Sequence, residues 1–136
     1  SGLVAVSNKY LEKVLLLHGT TPEAIEKIRK EGISPEFQGT GLGAPDLLDG
    51  KKVMSYTANP DVARIYSRHP SLFKTMFGKK VDPLLVRVPV EGSKEVTKDC
   101  IHHEVHSTSR IPIEDIVFPE NPSYGQLLEE LSRNRP

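Results

Sequence analysis

The chain has 136 residues, with 18 basic and 18 acidic side chains and zero formal net charge, a length suited to one domain with one sizeable core. The charges are interspersed, so no basic stripe supports a sequence-independent nucleic-acid footprint, and no apolar run approaches a membrane span. A lone Cys100 excludes an internal disulfide framework and a thiolate metal cage, and a reducing, cytoplasmic or other intracellular compartment fits it best.

No signal-peptide pattern is read at the start. The opening Ser1-Gly2 has the look of a cloning remnant, so the chain is expected to be part of a larger protein. Residues 3–13 mix apolar and polar positions and read as a short helix or an approach segment. Residues 14–17, Val-Leu-Leu-Leu, form a buried strand that delivers His18, Gly19, Thr20 and Thr21 to its rim. Imidazole titrates near neutrality and serves as donor, acceptor or cation, while glycine lets a ligand approach the main chain with no Cβ in the way. A solvated histidine at an ordinary strand end is the plain alternative.

Thr21-Pro22-Glu23 opens a helix with a hydroxyl cap, proline in the first turn and an acid beside the positive end of the dipole. Ala24, Ile25 and Ile28 supply its inner face and Gly32 ends it as a left-handed cap. Residues 34–50 read as loop. Their Gly-Thr-Gly-Leu-Gly run lacks both the lysine of a P-loop and the strand that precedes a dinucleotide fingerprint, and it reads as a mobile or ligand-covering loop.

Residues 52–57 read as a strand on β-former content. A second helix follows, capped by Thr57 or Asn59, with Pro60 at its start and Val62, Ala63, Ile65 and Tyr66 inside. Residues 67–82 suggest a short helix and a loop, and residues 83–90 are the strongest strand in the chain. A polar excursion over 91–99 leads to Cys100, which reads as a small packed hydrophobe rather than a nucleophile. In residues 101–106 strand alternation puts His102, Glu104 and His106 on one side. A turn over 107–110, a last strand over 115–118, and an amphipathic tail carrying Tyr124, Leu127, Leu128 and Leu131 complete the chain. This order argues for an α+β domain with a mainly antiparallel sheet.

Three polar strand rims then fall in sequence: His18-Gly19-Thr20 before a helix, Ser55-Tyr56-Thr57 before a helix carrying Ala63 and Tyr66, and Glu104 before a polar turn and Ile111-Pro112. In order and spacing, over roughly residues 14–118, they resemble the ADP-ribosyltransferase superfamily, the fold of diphtheria-like toxins and poly(ADP-ribose) polymerases. The resemblance implies a two-sheet, mainly antiparallel split β core with flanking helices and a cleft for NAD as substrate. It also implies a single catalytic domain over 1–136, with residues 119–136 as a tail.

By that resemblance His18 bonds the adenosine-side ribose, and the backbone of Gly19, beside Thr20, holds the nicotinamide amide. Glu104 bonds the nicotinamide ribose. In the second motif Ser55 fills the toxin-like role or Tyr56 the polymerase-like one, and Tyr66 is a further ring that stacks on nicotinamide. The chemistry asks for these residue types, because cleaving the nicotinamide–ribose bond passes through an oxocarbenium-like state that a fixed carboxylate stabilises best in a dry cleft. An aromatic face under nicotinamide holds the leaving group.

The implied activity is mono-ADP-ribosyl transfer with nicotinamide release, to a protein, nucleic acid or small-molecule acceptor, with NAD hydrolysis as a companion outcome. His102, two residues before Glu104, stands where arginine-modifying toxins carry a second glutamate, which argues against an arginine acceptor. On this reading His102 and His106 are dispensable for nicotinamide release. Two alternatives stay open. One is a metal-dependent enzyme using His102, Glu104 and His106. The other is a non-catalytic nucleotide- or protein-binding domain of the same fold.

Overall fold

A computed structural model of the chain describes residues 12–37, 47–66, 81–98 and 102–133. The approach segment up to residue 11, the Gly-Thr-Gly-Leu-Gly run, residues 67–80, Cys100 and the side chains of Ile65, Tyr66 and His102 lie outside that description. The architecture is α+β with antiparallel sheets, as the order of elements predicts. Among the described residues no helix is long and apolar enough to cross a membrane.

β1 (Lys13–His18) pairs antiparallel with β5 (Leu84–Pro89), and β5 pairs with β8 (Ile116–Val117). In the second three-stranded sheet, β7 (His102–Ser107) lies between β4 (Met54–Tyr56) and β6 (Ser93–Lys98). A two-residue ladder joins β2 (Leu47–Leu48) to β3 (Lys51–Lys52). The two large sheets meet at one bridge, where the amides of Leu17 and Thr57 donate to each other's carbonyls at 2.7 and 2.9 Å. Next to this bridge His18 at the end of β1 lies beside Ser55 of β4.

β5 explains its own place. Its apolar run, interrupted only by Arg87, suits a strand covered on both faces, and Leu84, Leu85, Val86 and Val88 are all buried. Leu84, Val86 and Val88 pack with Ile25 and Ile28 of α1 (Pro22–Glu31). On the other face Leu85 packs with Leu17, with Ala63 of α2 (Pro60–Tyr66), and with Tyr124 of α3 (Tyr124–Arg133). Each such aliphatic side chain contributes about 1.5–3 kcal/mol by burial. The Tyr124 hydroxyl donates to the Pro83 carbonyl at 2.6 Å, tying α3 to the entry of β5.

The helix caps follow the predicted chemistry. Thr21 accepts from the Ala24 amide at 3.2 Å, and Asn59 caps α2 through the Asp61 amide at 2.9 Å. Thr57 in turn holds the Asn59 amide at 3.1 Å. Gly32 ends α1 at φ 77°, with its amide on the Ile28 carbonyl. A Cβ there would stand 2.3 Å from the Ile111 carbonyl oxygen, because Ile33 and Ile111 exchange backbone hydrogen bonds directly beside it.

Several expectations need correction. The polar excursion over 91–99 contains the strand β6, reached by a turn through Gly92 at φ 79°. The strand expected over 52–57 is divided, with β3 ending at Lys52 and β4 starting at Met54. The stretch 34–50 is not all loop, since it holds a 3-10 turn (Pro35–Phe37) and β2. The last strand shortens to Ile116–Val117, because residues 113–115 form a 3-10 turn. Ala24 is exposed rather than packed inside, and the helix buries Ile25 and Ile28 alone.

Candidate functional site

His18 is the last residue of β1. Its Nδ1–H donates to the Ser55 carbonyl at 3.1 Å, since a carbonyl oxygen only accepts. That bond places the proton on Nδ1 and leaves Nε2 as the acceptor of a neutral ring. Burial holds the imidazole pKa below its ordinary value, opposed by the weaker pull of the Ser55 carbonyl. His18 is therefore a neutral acceptor at physiological pH, suited to a ligand hydroxyl.

From His18 the chain runs through Gly19, Thr20 and Thr21 into α1, and these four residues form one wall of a cleft of about 400 Å³. Ile28, Ile33, Phe37 and Met54 give it an apolar lining, and Ser55 also lines it. Lys27, which the sequence pattern assigns to the solvent face of α1, also lines the cleft, with its ammonium 3.9 Å from the centre of the Phe37 ring. A flat apolar group with a polar edge matches such a lining.

Glu104 sits in the middle of β7, the central strand of its sheet, and is only 1% exposed. His106, also buried, donates from Nε2 to Glu104 Oε2 at 2.8 Å. The alternation along the strand predicts their common face, and the ladder extends it to the neighbour: Ser55 pairs with His106, and Tyr56 with Val105. Ser55, His106 and Glu104 therefore share one face of the sheet, and Tyr56 and Val105 share the other.

This register separates the two residues considered for the second motif. The Tyr56 ring lies in the core beside α1, 5.4 Å from the His18 ring and tilted by 49°. Its hydroxyl has no hydrogen-bond partner among the described residues, and burial pushes its pKa far up. Ser55 is half-buried and stands at the junction of both groups. Its carbonyl fixes His18, and its position on β4 faces His106.

The structure thus gathers His18, Gly19, Thr20 and Ser55 around the cleft and places Tyr56 behind them. Glu104 is carried on the adjoining strand and is not among the cleft's described lining residues. Sequence reasoning missed the role of His106 as the hydrogen-bond partner of Glu104, although their i, i+2 spacing on a strand was the available signal. Among the described residues no group of three or more His, Cys, Asp or Glu side chains gathers as a metal site. Models of known protein families, curated proteins and solved structures yield no match to this chain.

Proposed function

We propose that this domain is an NAD-dependent mono-ADP-ribosyltransferase of the ADP-ribosyltransferase-like fold. The observation that carries the reading is the junction of the two sheets at Ser55. There one residue fixes a neutral His18 at the head of an apolar cleft and faces the strand that bears a buried Glu104. His18 Nε2 accepts from a hydroxyl of the adenosine-side ribose. Gly19 leaves its main chain open to the nicotinamide carboxamide.

As the nicotinamide–ribose bond lengthens, its electron pair departs with nicotinamide and positive charge grows on the ribose. A carboxylate held in a low-dielectric site stabilises that charge more than it stabilises the neutral ground state. The acceptor nucleophile then attacks the anomeric carbon, with water as the competing acceptor. Of the two second-motif candidates, Ser55 fits this chemistry better because it lines the cleft and shares a sheet face with Glu104, whereas Tyr56 is not among the cleft's described lining residues.

The test is nicotinamide release from NAD by the purified chain, with calorimetric titration of NAD in parallel. Labelled NAD added to lysate separates labelled protein, labelled nucleic acid and free ADP-ribose. Absence of both binding and release at high protein concentration defeats the reading. Activity lost to a chelator and restored by zinc or iron favours the metal alternative instead.

A further inference from the structure

We infer that His106 is a positioning residue for Glu104, orienting its carboxylate for cleavage of the nicotinamide–ribose bond. The inference rests on the proposed NAD-cleaving reading and deepens it. It revises the expectation that His106 is dispensable for nicotinamide release.

Both side chains are buried, and they lie on one strand face two residues apart. A carboxylate in such a place requires hydrogen bonding, and His106 supplies a charge-assisted bond at 2.8 Å to Oε2. A directional bond to Oε2 restrains the plane of the carboxylate, whose last torsion is intrinsically broad. β7 lies between two strands, so the backbone at His106 is paired on both sides, with Ser55 and Lys94, and that at Glu104 is paired with Val96. Ser55 is opposite His106 in the ladder, and its carbonyl is also the acceptor that fixes His18. The ladder thus sets His106, which bonds the carboxylate, opposite the residue that fixes the histidine of the cleft. An enzyme whose catalysis depends on electrostatic stabilisation loses rate when a charged group turns away by a fraction of an ångström, even with the group itself intact.

A role in orientation and a role in packing predict different kinetics. The experiment compares Glu104→Gln, His106→Ala, His106→Gln, His106→Leu and the Glu104→Gln/His106→Ala double variant in nicotinamide release, with a melting curve for each. His106→Ala and His106→Leu remove the donor and are expected to lower kcat about ten- to hundred-fold, the scale of a lost hydrogen bond to a charged group. The KM for NAD should stay within about threefold, because the ground-state ribose is neutral. His106→Gln keeps a donor and should recover most of the rate.

In the double variant the loss should be no greater than in Glu104→Gln alone, since a positioned group that has been removed cannot be mispositioned. If His106→Ala does not fold, the comparison of His106→Gln with His106→Leu decides. Equal rates in those two, or wild-type turnover in His106→Ala, overturns the inference while Glu104 keeps its role. Wild-type turnover in Glu104→Gln overturns the reading of the site itself, a different and distinguishable failure.

Discussion

At the end of β1 a polar side chain is fixed by the main chain, and in the middle of β7 one is fixed by another side chain. His18 hangs on the Ser55 carbonyl, half-buried at the rim of a cleft, where the backbone beyond it is opening toward α1. Glu104 is enclosed on a central strand and depends on the imidazole of His106. A main-chain acceptor survives any substitution at its own position, whereas a side-chain donor does not. The first arrangement therefore tolerates change around it, and the second is sensitive to substitution of the donor.

The largest expected effect tests the enclosed half. Glu104→Gln keeps the size but removes the charge, and it should lower the turnover of NAD cleavage by roughly two to three powers of ten, about 2.7–4 kcal/mol on the barrier. NAD affinity should change far less, which titration of the variant checks. If affinity and turnover fell together, the carboxylate would be acting on the bound ground state, and the contrast between the two halves would lose its basis.

The next effect falls on stability and tests what holds the open half in place. Gly32 stops α1 at a backbone conformation that side chains avoid, with the Ile111 carbonyl 2.3 Å from where a Cβ would sit. Gly32→Ala should cost at least about 2–3 kcal/mol of unfolding free energy by denaturant titration. The cost also measures coupling between the sheets, because Ile111 follows β7 in the chain while α1 follows β1. A variant as stable as the wild type would mean that the α1 exit relaxes freely.

How much of this was legible in the sequence differs between the same regions. β5 and α1 were readable because their signals are local: a nearly continuous apolar run, a threonine cap, a proline in the first turn, a glycine stop. β6 was not, because Ser93-Lys94-Glu95-Val96-Thr97-Lys98 has no apolar alternation and becomes a strand only by pairing with β7. The common face of Glu104 and His106 followed from period two, but their bond did not. Spacing gives a face, whereas the side-chain rotamers that bring Nε2 to Oε2 depend on burial between β4 and β6. The choice between Ser55 and Tyr56 likewise needed the register, since a shift of one residue exchanges their faces.

His18 carries a smaller effect with a pH signature. Replacing it with alanine should weaken NAD binding by about 1–3 kcal/mol, the cost of a lost partner to a polar group, with a smaller change in kcat. Its pKa lies below the ordinary value of 6.5 because burial disfavours the cation. On acidification through 6.5 the unfolded chain takes up a proton that the folded chain refuses, so stability falls from there down to the depressed native pKa. His18→Asn should flatten that part of the stability curve. A wild-type curve that rises on acidification through this window contradicts the neutral assignment and with it the acceptor role of Nε2.

The smallest expected effects separate Ser55 from Tyr56. Tyr56→Phe deletes a buried hydroxyl that has no partner among the described residues, so its removal relieves an uncompensated desolvation and leaves the packed ring in place. Stability should be unchanged or slightly higher, and nicotinamide release should stay at the wild-type rate. Ser55→Ala keeps the carbonyl that holds His18, so NAD affinity should be nearly preserved, but it removes a hydroxyl from the face shared with Glu104 and His106. A drop in turnover of about tenfold, near 1.4 kcal/mol, is the expected sign that this hydroxyl acts at the ribose. Measured side by side, the two substitutions differ by one oxygen atom on opposite faces of β4. If Tyr56→Phe were the slower enzyme and Ser55→Ala were unaffected, the second-motif role would belong to the Tyr56 hydroxyl, and the preference for Ser55 would fall.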